Sequence, residues 1–129
     1  MEQLPEIIRI DDVLHTLYTT PLQPWLRGQE TPPVFDKRTQ TCERGYVGSW
    51  QIRDDVLWLI GLYGWRNGEL IKLSDLFGNA REVVADWFSG SLVVEPAASE
   101  IRDGTSPKTT TLFVEAGRII RSHEGREGT

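Results

Sequence analysis

Cys42, Arg44, Asp86, Ser89, His15 and His123 are the residues of this chain whose types could carry chemistry. A nucleophilic thiol needs a positive or hydrogen-bonding neighbourhood that lowers its pKa. Arg44 lies two residues after Cys42 and would share a strand face with it. No histidine stands close to Cys42 in sequence, so a small half-buried thiol at a strand entrance is the favoured reading. Ser89, in Phe88-Ser89-Gly90-Ser91, lacks the Gly-x-Ser-x-Gly frame of a nucleophile elbow. The two histidines and single cysteine show no His-x-x-x-His or Cys-x-x-Cys spacing, and no metal site or cofactor is expected. His15 reads as a half-buried structural histidine on a strand. The glycines form no strand–glycine loop–helix group that would cradle a phosphate.

Asp86 is the most pointed of these candidates. It sits among Val84, Ala85, Trp87 and Phe88, where an unpaired charge would be costly. A functional reading makes it a ligand-binding carboxylate or general base in an aromatic cleft, with Arg44 as its partner. A structural reading, which is favoured, makes it a paired core acid or a solvent-facing strand residue. Asp11-Asp12 and Asp54-Asp55 are acid pairs of a different kind, chosen for backbone reasons at turns.

These candidates depend on the elements that hold them. The run Arg44-Gly45-Tyr46-Val47-Gly48-Ser49-Trp50-Gln51-Ile52 alternates large and small residues, meets Asp54-Asp55, and continues as Val56-Leu57-Trp58-Leu59-Ile60-Gly61-Leu62-Tyr63. A two-residue loop at Asp54-Asp55 pairs Ile52 with Leu57, Trp50 with Leu59, Gly48 with Gly61 and Tyr46 with Tyr63, all on one face. The second strand is apolar on both faces and therefore central in its sheet. Paired glycines would leave a depression between the Trp50 and Tyr46 layers, open to another element or a ligand. Arg44, Tyr46, Gly48, Gly61 and Asp86 are thus the candidate ligand-binding residues, with no catalytic residue assigned.

Elsewhere, Ile7 to Thr20 reads as a hairpin turning at Asp11-Asp12, with Ile10 opposite Val13 and Ile8 opposite His15. Leu22, Trp25 and Leu26 have helical spacing before Gly28. Residues 28–41 are loop-like, with Val34-Phe35 as their apolar anchor. Arg66-Asn67-Gly68-Glu69 is a turn, followed by a segment with one helical turn ending at Gly78. Ala80, Val83, Val84, Trp87 and Phe88 fit a helical template, yet the same residues also alternate as a strand would. Ser91 to Pro96 is a strand and residues 97–108 are a loop. A last hairpin turns at Ala116-Gly117, setting Glu115 opposite Arg118, Val114 opposite Ile119 and Phe113 opposite Ile120.

The chain has 129 residues, 39% of them hydrophobic and 26% charged, which suits one domain with a sizeable core. That domain is expected over residues 1–122, with 123–129 as a frayed tail lacking an apolar anchor. Fourteen Lys and Arg against nineteen Asp and Glu give a net charge of −5, which disfavours a nucleic-acid binder. A single cysteine excludes an internal disulfide. The start shows no secretory leader and no stretch is long enough to span a bilayer, so a cytoplasmic location is expected.

From Cys42 through Ile52, and again at Ala85-Asp86-Trp87-Phe88-Ser89-Gly90, the chain resembles a group of small uncharacterised bacterial proteins. Their pattern is a Cys, then Arg-Gly-Tyr-x-Gly-x-Trp-x-Ile, an acidic turn, alternating Leu, and a later Ala-Asp-Trp-Phe-Ser-Gly before a strand. The resemblance implies no activity. It does imply that residues 83–94 are one long β-strand kinked at Gly90.

The expected fold is mainly β: an antiparallel sheet of hairpins rolled into a half-barrel or small sandwich, with one or two short helical turns. The expected function is a non-catalytic binding or interaction protein with a protein partner, of which an acidic inhibitor or immunity-type protein is one form. The alternative is a small-molecule-binding protein or small enzyme with a pocket at Gly48 and Gly61, served by Asp86 and Arg44.

Overall fold

The computed structural model describes residues 5–29, 45–97 and 109–124. Arg44, Cys42, Val34-Phe35 and the 97–108 loop beyond Ala97 lie outside the described residues. The chain is built from two-residue turns between strands. Asp11-Asp12, Asp54-Asp55, Asn67-Gly68 and Ala116-Gly117 all hold positive φ at both positions, from 49° to 82°. That is the backbone of turns whose twist matches paired strands, and Asp, Asn and Gly tolerate it best.

These turns join Glu6–Ile10 (β1) to Val13–Leu17 (β2), Tyr46–Arg53 (β3) to Val56–Arg66 (β4), β4 to Glu69–Lys72 (β5), and Thr110–Glu115 (β8) to Arg118–Glu124 (β9). Between them lie the short helix Leu22–Arg27 (α1), the single turn Leu73–Leu76 (α2), the two-residue strand Val83–Val84 (β6) and Gly90–Pro96 (β7). The Asp75 carboxylate accepts the Lys72 backbone N–H (2.8 Å) and fixes the start of α2.

The fold is mainly β. Seven strands close on themselves in the order β3-β1-β2-β7-β8-β9-β4, with β4 pairing back to β3. The expected half-barrel is therefore a closed barrel. Its pairs are antiparallel except β1 with β3, which run parallel, Ile8 beside Trp50 and Ile10 beside Ile52. The seam between β9 and β4 is narrow: one residue pair, Val56 with Arg118, flanked by Leu57 N–H to Gly117 O (2.8 Å) and Ile119 N–H to Asp55 O (2.7 Å). β5 and β6 extend the sheet beyond the barrel on β4, which is the central strand its two apolar faces predict.

The first hairpin has the expected register, Ile10 with Val13 and Ile8 with His15. The His15 ring is half-buried and its Nδ1 hydrogen-bonds the Val13 carbonyl (3.0 Å), a structural role. The central hairpin keeps Ile52 with Leu57 and Trp50 with Leu59, but then shifts. A bulge at Ser49/Trp50 leaves Ile60 as an extra residue on β4, so Ser49 pairs with Gly61, Gly48 with Leu62 and Tyr46 with Gly64. The expected Gly48–Gly61 and Tyr46–Tyr63 pairs do not form. The bulge also switches which residues of β4 point inward, from Leu57 and Leu59 to Leu62, and Tyr63 is left 57% exposed. The last hairpin repeats the device. Glu115–Arg118 and Val114–Ile119 pair as expected, but a bulge puts Phe113 opposite Arg121 and leaves Ile120 58% exposed.

Residues 83–94 are not one kinked strand. β6 pairs with β4, a turn intervenes, and β7 pairs with β2 and β8. His123 and Glu124, placed in the expected tail, pair with Thr111 and Thr110 in β9, and residues 125–129 lie outside the described residues.

Ile8, Leu17, Trp50, Leu57, Leu59, Leu62, Leu92, Val94, Leu112 and Val114 fill the barrel. Leu22 and Leu26 of α1, Leu73 of α2, and Ala85 and Phe88 continue the same core. One acid sits inside it. Glu6 is wholly buried, on the inward face with Ile8, and its carboxylate accepts the Trp50 indole N–H (2.8 Å) and the Gly48 backbone N–H (3.0 Å).

Candidate functional site

The four described sequence candidates do not converge. Arg44 lies outside the described residues. Tyr46 and Gly48 face the barrel interior, where Gly48 has a defined task. A Cβ built there would lie 2.9 Å from Trp50 Nε1 and 3.0 Å from Glu6 Oε1. The space expected to be a ligand depression is occupied by the Glu6–Trp50 hydrogen bond. Gly61 is on the opposite, outer face of β4, against Ser49. It borders a shallow hollow of about 320 Å³ shared with Tyr63, Lys72, Ala80 and Arg81.

Asp86 stands apart from Tyr46, Gly48 and Gly61, and the best-formed candidate site is built around it. Val84 of β6 pairs with Trp58, and Ala85 N–H donates to Leu57 O (2.9 Å). Phe88 N–H returns to Ala85 O (3.1 Å), closing a turn, and Gly117 N–H donates to Phe88 O (2.9 Å). Ser89 Oγ accepts the Ala116 N–H (2.9 Å), a structural use of that hydroxyl. Ala85 and Phe88 are thereby drawn into the core, while Asp86 is turned outward, exposed, and Trp87 lies half-buried. Of the two structural readings of Asp86, the paired core acid is not found; the side chain faces solvent, from a turn rather than a strand. Its carboxylate makes no hydrogen bond or ion pair among the described residues, and Arg44, the expected partner, lies outside them.

Trp87 anchors through its indole N–H to the Pro21 carbonyl (2.8 Å). Its ring stacks on Phe77, centroids 5.8 Å apart and planes 18° from parallel. Trp25 of α1 closes the group, 4.3 Å from Phe77 and 6.2 Å from Trp87. These three rings, with Trp58, Val83 and Val84, line an open groove of about 500 Å³ on the outside of the barrel. Its charged lining residues, among those described, are both acids: Glu82 and Asp86.

Glu82 is already engaged. Its two carboxylate oxygens accept Nη1 and Nη2 of Arg53 at 2.9 and 2.8 Å, a bidentate pair. Arg53 Nε donates to Gln51 Oε1 (2.6 Å), and the guanidinium lies over Trp58, 5.1 Å from the ring centroid. The hydrogen bond from Arg53 holds the Glu82 carboxyl below the usual glutamate range, and the same contact holds the guanidinium pKa up.

Glu82, Arg53, Trp25 and Phe77 were not among the candidate site residues read from the sequence. Trp25 of α1 and Phe77 just after α2 are far apart in the chain, and only the fold brings their rings together. Glu6 was also missed, although its position two residues before Ile8 and four before Ile10 places it on the inward face of β1. Among the described residues no three His, Cys, Asp or Glu side chains gather at a metal-sized site, and no helix is long and apolar enough to cross a membrane. Comparison with family models, with curated proteins and with solved structures finds no match for this chain.

Proposed function

We propose that this is a cytoplasmic, non-catalytic binding protein that engages a protein partner through the Trp25–Phe77–Trp87 groove. The observation that carries this reading is the groove itself: half-exposed aromatic rings from three separate elements, with carboxylates at the rim, on the outside of a barrel whose interior is filled by side chains. Aromatic rings that remain partly open to solvent supply contact area at low conformational cost, which suits an interface. The net charge of −5 fits a basic partner, as an inhibitor or immunity-type protein would have.

The acidic turns add to this bias. The parallel pairing of β1 with β3 brings Asp11-Asp12 beside Asp54-Asp55 at one end of the barrel, all four exposed. Glu95 is half-buried and accepts the Tyr18 hydroxyl (3.0 Å).

A small-molecule reading, at this groove rather than at the expected Gly48–Gly61 pocket, draws on its volume of about 500 Å³, which falls within the range of about 300–1,000 Å³ common for ligand sites. Its openness along the barrel surface favours the protein reading. The test compares affinity capture from the producing cells by the parent protein and by Asp86→Lys, an exposed substitution. A stoichiometric protein retained by the parent and lost with Asp86→Lys supports the reading. Equal retention by both removes the groove as the contact face, and repeated capture of nothing counts against a protein partner.

A further inference from the structure

We propose that the groove recognises an arginine side chain of the partner, and that Arg53 shows within the molecule how it does so. This deepens the binding reading above and rests on it. Arg53 is held by three features at once: the indole face of Trp58 beneath its guanidinium at 5.1 Å, a two-oxygen carboxylate clamp from Glu82, and an amide acceptor, Gln51, on Nε. A planar cation with five donors is the group that such a combination suits, because it can stack on a ring and bond in its own plane together. Both Arg53 and Glu82 remain about two-fifths exposed, at 39% and 40%. The arrangement is therefore at the surface, where an incoming side chain can reach it.

The same components recur next to it. Trp87 and Trp25 are half-buried rings that line the groove, and Asp86, adjacent to Trp87, presents a carboxylate that no described residue engages. Arg53 borders the groove at Trp58 and Glu82 and offsets the Glu82 charge, which leaves Asp86 as the acid of the described lining without a cationic partner among the described residues. A guanidinium laid along the Trp87 wall would meet an aromatic face and a carboxylate, as Arg53 meets Trp58 and Glu82. The charge complementarity commits the occupant to a basic protein segment. A neutral or acidic peptide would leave Asp86 desolvated without compensation.

The test is a titration of the whole protein with the peptide acetyl-Gly-Arg-Gly-Arg-Gly-amide, followed by the indole N–H signals in nitrogen–proton correlation spectra. Matched peptides carry citrulline, lysine or glutamate in place of arginine. Saturable shifts at Trp25 and Trp87, weakened roughly two- to fivefold by Asp86→Asn, are expected for arginine. The citrulline peptide, isosteric but neutral, is expected to give none. Arg53→Ala supplies a second arm, because it uncovers Trp58 and Glu82. In that variant the arginine peptide is expected to shift Trp58 as well and to bind more tightly, and adding Glu82→Gln should reverse the gain. Equal shifts from the citrulline or glutamate peptide, or binding of lysine peptide or spermidine without binding of arginine, overturn the proposal. So does an Arg53→Ala variant that stays folded by circular dichroism yet gains no shift at Trp58. Failure of these arms alongside Asp86-dependent capture of a cellular partner sinks the arginine inference alone. Failure of both sinks the binding reading too.

Discussion

Glu6 and Gly48 are a matched pair, and each explains the other. A buried carboxylate is costly unless its oxygens are hydrogen-bonded, and here they take one indole and one backbone N–H from β3. That pins β1 to β3 along the barrel's parallel pair. Gly48 carries no side chain because Glu6 and Trp50 meet where its Cβ would stand. Gly48→Ala should therefore cost about 1–3 kcal/mol, measured by urea unfolding, since the Trp50 indole is buried and cannot retreat without displacing other core groups. A variant as stable as the parent would show that the interior yields there. Arg53 and Glu82 make the opposite case, a strong geometry at the surface. With Glu82 lowered in the folded state, the pair's contribution is present above the unfolded glutamate value and is lost as pH falls through the lowered folded one. Water screens it, so the stability effect is small. The titration itself is the clean readout: the Glu82 side-chain carboxyl carbon should shift at a midpoint below the ordinary glutamate range, and Arg53→Ala should return it to that range.

At the scale of elements, the turns carried the legible information and the bulges did not. Asp-Asp and Ala-Gly at positive φ are chosen for the backbone, so the hairpins 6–17, 46–66 and 110–124 were readable, with correct pairing next to each turn. Beyond the bulges at Ser49/Trp50 and Phe113/Val114 the registers slip by one residue. Ile60 and Ile120 look like ordinary strand residues, and nothing local marks them as unpaired extras. The segment 79–90 was illegible for another reason. Both its periodicities were accidental, because Ala85 and Phe88 are buried by a turn docked on the β8–β9 hairpin, a contact set by distant chain. Gly117 is the hinge of that docking. It holds φ +82°, and a Cβ there would sit 2.8 Å from Ala85 O, a backbone atom. Gly117→Ala should lose about 2–4 kcal/mol by thermal or urea unfolding. Because Gly117 also bonds Phe88 O and accepts from Leu57, the indole signal of neighbouring Trp87 should move in the same variant. An unshifted Trp87 would mean that the groove does not depend on this seam.

The molecule as a whole is a barrel whose circumference is uneven in strength. β3 and β4 share an eight-pair ladder, and β1, β2, β7 and β8 are joined by ladders of three to five pairs. β9 and β4 share one pair and two flanking hydrogen bonds. Bringing distant strands together costs loop-closure entropy that must be offset by the contacts it permits, so the last joint to form should be the one with fewest bonds. The groove adjoins the weak side, since Ala85 and Phe88, which flank Asp86 and Trp87, bond Leu57 and Gly117 at that joint. Local opening there would loosen the aromatic group while leaving the β3–β4 ladder intact. Amide hydrogen exchange under native conditions is expected to show Leu57, Ala85, Gly117 and Ile119 exchanging through a subglobal opening, with Trp50 and Leu59 exchanging only on complete unfolding. An arginine-bearing ligand in the groove should slow exchange at Ala85 and Gly117 and leave Trp50 unchanged, because stabilisation by binding acts on openings that abolish the site. If all six amides exchange with one common free energy, the barrel opens as a single unit and the seam confers no separate mobility on the binding face.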